Sequence, residues 1–448
     1  MGTDSTVSIA PGALPVLGHT WSLLSDPLGF LTSLPAHGDL VRIRLGPFEA
    51  IVVCTPELVR QVLLNDRIFD KVGPFFDRAR DAFGDGLATC PHSMHRRQRR
   101  LVQPTFHPAR FPGYAQIMTK HISGVTASWE HGQVLDILPE MATLATRIAV
   151  ETMFSNALPP AMLQAVRNDL HAFLAGIYTR LIVPPPLDKF LIIGNRRFNR
   201  ARNHLLEIIR GVIIDRRTDG ADCGDLLSTL LTARDPTESQ SLSDSEIVDQ
   251  VITFFLAGSE TTANALAWAV YLLACHPDVE QQLHAEVDAV LEGTAARFED
   301  LPRLQLAGRV ITETLRMYPP GWTLARTVTT DTYLGKHPIP ASTILIYSLY
   351  LLHHLPDFYP APDHFDPDRW TDGLHTAPSR EAFIPFAGGA RKCIGDTFAI
   401  TEATLVLATL AARWNLQLLP NRHVRPSRSV VLRPCGLRMR ATQRAQLH

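Results

Sequence analysis

Apolar positions recur with helical spacing from about residue 95 to about residue 320, and on either side of that block the rhythm shortens. Before it, Leu40–Leu45 and residues 49–53 alternate around Gly46-Pro47, which predicts a pair of strands. Residues 56–65 read as a helix with Pro56 in its first turn. Residues 11–18, punctuated by Pro and Gly, form an extended opening stretch. Inside the helical block the expected breaks are Gly132, Pro159-Pro160, Pro184-Pro185-Pro186 and residues 218–224. Ser243 with Glu246 is a capping box, and it opens a helix running to about Cys275. At roughly 30 residues that helix is long for a globular domain and suits one crossing a large α-fold. Residues 323–348 are rich in Thr, Val and Ile, with turns expected at Gly335 and Pro338-Ile-Pro340, so short strands are predicted. Residues 398–410 are apolar and Ala-rich, a helix starting near Gly395, and residues 429–440 read as strand. The pattern predicts a mainly α fold with small β-sheets. One large domain over residues 1–448 is expected, β-rich at about 38–55 and 323–440 and helical at about 95–320.

With 448 residues, 46% of them hydrophobic and 19% charged, the chain is globular and not disordered. A net charge of −1 gives no strong attraction to nucleic acid or to an anionic membrane surface. No basic segment with an apolar core opens the chain, and no apolar stretch reaches the about 18 residues of a membrane span. The most apolar stretches, 251–256 and 266–275, are separated by a Gly-Ser-Glu-Thr-Thr patch. A soluble cytoplasmic protein is expected. The cysteines stand at 54, 90, 223, 275, 393 and 435, with no CxxC pair and no zinc or disulfide spacing. All but Cys393 are expected to be buried or partly buried free thiols in a reducing cytosol.

Cys393 lies in the run Phe386-Ala-Gly-Gly-Ala-Arg-Lys-Cys-Ile-Gly395. Gly388, Gly389 and Gly395 let the backbone turn tightly and approach a flat macrocycle. A cysteine just before a helix N-terminus meets partial positive charge and free N–H groups, which favour a thiolate. N–H donors aimed at the sulfur also tune its electron donation. Such a thiolate suits haem iron, with Arg391 in reach of a haem propionate. The run fits F-x-x-G-x-R-x-C-x-G through Phe386, Gly389, Arg391, Cys393 and Gly395, and through it the chain resembles the cytochrome P450 family.

Other motifs extend the resemblance over most of the chain. Ala257-Gly-Ser-Glu-Thr-Thr262 lies mid-helix, where a Thr hydroxyl can bond a carbonyl one turn back and bend the helix. By itself the patch is a local kink, a ligand groove or a polar patch facing solvent. The resemblance makes Glu260 and Thr261 the distal acid–alcohol pair: Thr261 hydrogen-bonds the bound dioxygen and Glu260 helps deliver protons. Glu313-Thr-Leu-Arg316 resembles the family's E-x-x-R, followed by an Arg-bearing loop, Phe365-Asp-Pro-Asp-Arg369-Trp370. The implied triad of Glu313, Arg316 and Arg369 is structural, a partly buried network fixing the loop that holds Cys393. His95 and Arg99, four apart on one helical face, and Arg326 match the family's propionate-binding positions, with Arg391. Arg96, Arg97, Arg100 and Lys392 would stay exposed and steer an acidic redox partner. His353 reads as a packing or hydrogen-bonding histidine in a loop.

The resemblance puts residues 69–89, 173–191, 254–262, 321–324 and 430–435 over the distal haem face. The candidate pocket side chains are Phe75, Phe76, Phe83, Phe254, Ala257, Trp322, Leu324 and Val431, some of which would be core. Such a lining suits a small hydrophobic substrate. What the resemblance implies is a P450 fold with haem b between the long distal helix and the cysteine-loop helix. It further implies an O2-dependent monooxygenase, taking electrons from a ferredoxin and its NAD(P)H-dependent reductase, and a monomer. Residues 90–108 and the Pro11-Gly-Ala-Leu-Pro15 stretch are most similar to bacterial sesquiterpene-oxidising members. Their substrate would be a cyclic sesquiterpene hydrocarbon such as pentalenene, oxidised at a methyl group stepwise through alcohol to aldehyde in antibiotic biosynthesis. Fatty-acid and polyketide hydroxylases are the alternative. A non-catalytic haem-thiolate sensor and a peroxide-driven enzyme are the rivals from other classes, and neither needs Glu260 and Thr261.

Overall fold

The computed structural model describes residues 7–155, 162, 164–166, 168–169, 172–173, 195–220, 222–235, 241–371, 381–420, 424–427 and 431–444. Pro159-Pro160, Pro184-Pro185-Pro186, residues 174–191 of the expected pocket and residues 428–430 lie outside them. The chain forms two compact units: Met1–Gly73 with Gly308–Asp396 and Arg425–Cys435, and Pro74–Ala307 with Thr397–Val424 and Gly436–His448.

The first unit is built on a six-stranded sheet. Ser8–Ile9 runs parallel to Leu40–Leu45, which turns at Gly46 (φ +60°) into Phe48–Val53. Phe48–Val53 lies parallel to Ile344–Ser348, whose antiparallel neighbour is Thr323–Val328, and Phe69–Asp70 forms the far edge. Val41, Ile43, Val52 and Leu345 are among the side chains buried on this sheet. Helix Pro56–Leu64 lays Leu58, Val59, Val62 and Leu63 into the same core, an i, i+1, i+4, i+5 stripe of helical period. The expected strands in 323–348 are present, with a further hairpin of Thr332–Leu334 and His337–Ile339 about Gly335. The second expected turn is displaced. Pro338 sits inside a strand, and the reversal comes at Pro340–Thr343 with Ser342 at φ +68°.

The second unit is helical. Its axis is Asp244–Cys275, 32 residues long, and Ile137–Phe154 packs along it. The capping box forms as the spacing predicts: Glu246 N–H donates to Ser243 Oγ at 3.2 Å and Ser243 N–H to Glu246 Oε2 at 2.8 Å. Helix Asp396–Arg413 starts where the sequence placed it and buries most of its residues. A three-stranded sheet pairs Arg438–Gln443 with Trp414–Leu418 and Val134–Asp136. Among the described residues no helix is long and apolar enough to cross a membrane. Cys54 and Cys90 are buried as expected, but Cys223, Cys275 and Cys435 are exposed, because they fall at a loop, a helix end and a two-residue strand.

Candidate active site

Cys393 lies just before helix Asp396–Arg413 and is exposed. Its N–H donates to Phe386 O at 2.9 Å, closing the loop into a tight reversal. Two features force that shape. Ala387 and Gly389 take positive φ, +56° and +66°. A Cβ on Gly389 would stand 2.1 Å from Leu63 O, so the loop lies directly on the backbone end of helix Pro56–Leu64. Lys392 is exposed and ion-paired with Asp396 at 2.5 Å.

Arg391 is directed inward. Its guanidinium donates to Asp70 Oδ1 at 2.7 Å and to Asp66 Oδ2 at 3.3 Å, with all three side chains largely buried. Two carboxylates thus sit on the group that the resemblance assigns to a propionate. They pin the cysteine loop to the edge strand Phe69–Asp70 and to the turn before it. Sequence reading missed both, and no local signal exists, because Asp70 is 321 positions from Arg391.

Glu313 and Arg316 form a fully buried bidentate pair, Nε and Nη2 each 2.9 Å from a Glu313 oxygen. Arg369 Nε approaches Glu313 Oε1 at 3.5 Å and Trp370 Nε1 donates to Oε2 at 2.9 Å. Trp370 is an unforeseen fourth member. Arg316 also donates to the carbonyls of His353 and Pro362, at 3.0 and 2.7 Å. His353 carries the network onward. Ile384 N–H donates to its Nε2 at 3.1 Å, so the ring proton sits on Nδ1 and faces Arg316 O at 3.2 Å. Ile384 is two residues before Phe386. Burial, helped by His354 and Arg316, pushes the His353 pKa down to about 3 and keeps the ring neutral. It ends the short helix Leu349–His353 and does not lie in a loop.

Arg326, on strand Thr323–Val328, is 3% exposed. It donates to Ala325 O at 2.7 Å and lies 5.7 Å from the Tyr347 ring centroid. Among the described residues no carboxylate pairs with it. A buried guanidinium without a counter-charge is costly and calls for an anion.

In the second unit, Thr261 Oγ1 donates to Ala257 O at 2.5 Å, the one-turn back-bond expected for a mid-helix threonine. Asn264 Nδ2 donates to Glu260 O at 2.7 Å and to its Oε1 at 3.2 Å. Ala257 is exposed, in a helix buried along most of its length. A Cβ on Gly258 would meet none of the described residues within 4 Å. His95 and Arg99 lie one turn apart on helix His92–Val102, His95 buried and Arg99 half-buried. Arg97 does not stand free: it pairs with Glu246 at 2.6 Å and donates to Ser241 O. Arg100 pairs with Asp235 at 2.7 Å, and Arg96 is exposed.

Of the expected pocket residues, Phe83 and Phe254 are half-buried, each in an edge-to-face pair, with Phe173 and Phe106. Leu324 and Val431 are half-buried and Phe75 exposed. Phe76 and Trp322 are buried; Trp322 belongs to the core around the six-stranded sheet.

The cytochrome P450 family model matches residues 10–439. This chain belongs to the cytochrome P450 family. It is similar to cyclooctat-9-en-7-ol 5-monooxygenase of Streptomyces melanosporofaciens, 47% identical with 93% of this chain and 90% of that one covered. It is likewise similar to pentalenene oxygenase of Streptomyces avermitilis, 43% identical with 97% of each chain covered. Among solved structures, the crystal structure of the cytochrome P450DA heme domain superposes with a TM-score of 0.88 at 27% identity, covering 98% of each chain. This P450 is a monooxygenase and, as family membership implies, uses haem iron and O2, a hydrophobic substrate and an external redox partner. The residues present fit the haem. In the first unit Cys393 offers an exposed thiol, and Arg326 a buried cation with no carboxylate partner among the described residues.

Proposed function

We propose that this P450 oxidises a cyclic terpenoid hydrocarbon, with pentalenene the first candidate, at a methyl group and stepwise through alcohol to aldehyde. The observation that carries this is the apolar, open surface of Phe254 and Ala257 just ahead of the Glu260–Thr261 pair. It occurs in a chain 43% identical over 97% of its length to a pentalenene oxygenase. A second substrate, cyclooctat-9-en-7-ol, has its own support in the 47% identity to cyclooctat-9-en-7-ol 5-monooxygenase.

In this reading Cys393 holds haem b through its sulfur, and Arg326, His95 and Arg99 hold the propionates. The haem, when bound, supplies activation of dioxygen at a thiolate-ligated iron. The chain's residues do the rest. The triad and His353 fix the cysteine loop. With its proton directed at Ala257 O, Thr261 Oγ1 presents lone pairs and accepts a hydrogen bond from a protonated group. Glu260, steadied by Asn264, carries protons in from solvent. Phe83, Phe254 and Ala257 hold the apolar substrate and exclude water. Electrons come from a ferredoxin and its NAD(P)H-dependent reductase, and the enzyme is a cytoplasmic monomer.

The test is a spectral titration of the purified ferric protein with pentalenene, cyclooctat-9-en-7-ol and a fatty acid. A saturable low-spin to high-spin change with pentalenene, followed by its alcohol and aldehyde on turnover, is the expected result. Response and turnover with the fatty acid alone would overturn the terpenoid reading. The role of Thr261 is checked separately. Thr261→Ala should keep its haem but divert NAD(P)H equivalents to peroxide, and normal coupling would remove Thr261 from oxygen activation.

A further inference from the structure

The turn joining helix Pro74–Phe83 to helix His92–Val102 is fastened to the long helix by its own backbone. Asp85 N–H donates to Asp249 Oδ2 at 2.9 Å, and Leu87 N–H to Gln250 Oε1 at 3.0 Å. Gln250 Nε2 donates to Gln98 Oε1 at 3.0 Å, and Gln98 Nε2 returns to Asp85 O at 2.8 Å. The ring of bonds is closed, and Gln98 and Gln250 are both buried. Buried amides that satisfy one another in this way specify a single arrangement.

The glycines of the turn are shaped to the same partners. Gly84 takes φ +74°, and a Cβ there would stand 2.0 Å from Asp249 Oδ1. Gly86 takes no left-handed φ, so conformation does not explain it; closeness does. A Cβ on Gly86 would stand 2.1 Å from Thr253 Oγ1 and 2.6 Å from Asp249 O. The backbone of the turn therefore lies in van der Waals contact with one face of the long helix. Phe83 precedes this turn, and Phe254 and Ala257 follow the anchoring residues on the long helix.

We propose that Asp249 and Gln250 are positioning residues that clamp the turn of residues 84–90 and so set the width and selectivity of the substrate pocket at Phe83, Phe254 and Ala257. They touch neither substrate nor haem; they act through the turn. An alteration at the clamp should change how tightly and in which orientation a ligand is held, without altering the haem-thiolate centre. The proposal rests on the placement of Phe83, Phe254 and Ala257 at the pocket.

Haem-loaded full-length protein would be compared with Asp249→Ala, Asp249→Asn, Gln250→Leu and Gly86→Ala, using 4-phenylimidazole as the probe. Hydrogen exchange at the Asp85 and Leu87 amides reads the clamp itself. Asp249→Ala and Gln250→Leu should speed it about fivefold to tenfold, the scale of one lost hydrogen bond. The same variants and Gly86→Ala should shift the phenylimidazole Kd by a similar factor. The reduced carbon-monoxide spectrum should stay that of the parent. Asp249→Asn, which keeps an acceptor oxygen, should restore both readouts. Exchange unchanged in Asp249→Ala and Gln250→Leu would overturn the clamp. Faster exchange with parental phenylimidazole binding would overturn its link to the pocket. A parent that fails to bind phenylimidazole would instead count against the haem reading, and the exchange readout would still decide the clamp.

Discussion

A single buried acid shows how far residue-scale physics reaches in this chain. Glu402, in helix Asp396–Arg413, is 1% exposed, and its Oε1 has no hydrogen-bond partner among the described residues. Burial alone raises its pKa well above the usual 4.5, so the folded protein keeps the acid protonated. Below that usual value the folded and unfolded chains both hold the proton. Above it the unfolded chain ionises while the folded chain does not, so this group lowers stability as pH rises. Glu402→Gln, similar in shape and never ionised, should therefore be more stable than the parent at pH 8. The difference should vanish near pH 4. Urea unfolding at the two pH values checks this, and an equal gain at both would mean that ionisation is not the cause.

At the scale of elements, the cysteine loop is held from two sides within its unit. Gly389 lies against Leu63 O, and Arg391 against Asp66 and Asp70. From the other side the buried Glu313–Arg316 pair reaches the loop through His353 and Ile384. His353→Asn should loosen this path while leaving the ion pair intact. The haem-thiolate spectrum should then be lost at a lower temperature than in the parent, ahead of loss of helical circular dichroism. Coincident losses in the variant would show that His353 supports the fold and not the loop. The same residue has a pH signature. Its folded pKa of about 3 lies below the ordinary 6.5, so its contribution is complete above 6.5 and fades as pH falls towards 3. The Asn variant should accordingly unfold less steeply with acid over that range.

For the whole molecule, the decisive term is an unmatched charge. Arg326 is buried, and among the described residues no carboxylate pairs with it. A propionate would balance it, so haem binding and folding are linked. Removal of haem should lower the Tm. Arg326→Met should raise the Tm of the haem-free protein, because the buried charge is gone, and lower the haem content of protein as purified. If Arg326→Met destabilises the haem-free form as strongly as the haem-loaded one, the guanidinium is serving the protein's own packing.

The sequence by itself determined what depends on short spacings. Ser243 and Glu246 fixed the start of the long helix, because a capping box is closed within four residues. Alternation fixed the Leu40–Leu45 strand, and the ten-residue cysteine run by itself carries the family's pattern. The Glu313–Arg316 spacing implied a pair but not its depth, since one helical turn looks alike on a surface and in a core. Only the tertiary structure decided how deep that pair lies and that Trp370 and His353 join it. It alone gave Arg391 two distant aspartates, Asp70 on an edge strand and Asp66 in the turn before it, and paired Arg97 with Glu246. It also turned two glycines into the mould of Asp249 and Thr253. The reason is the same in each case. Burial, charge pairing and close approach depend on which distant segment arrives, and chain packing sets that where local periodicity cannot.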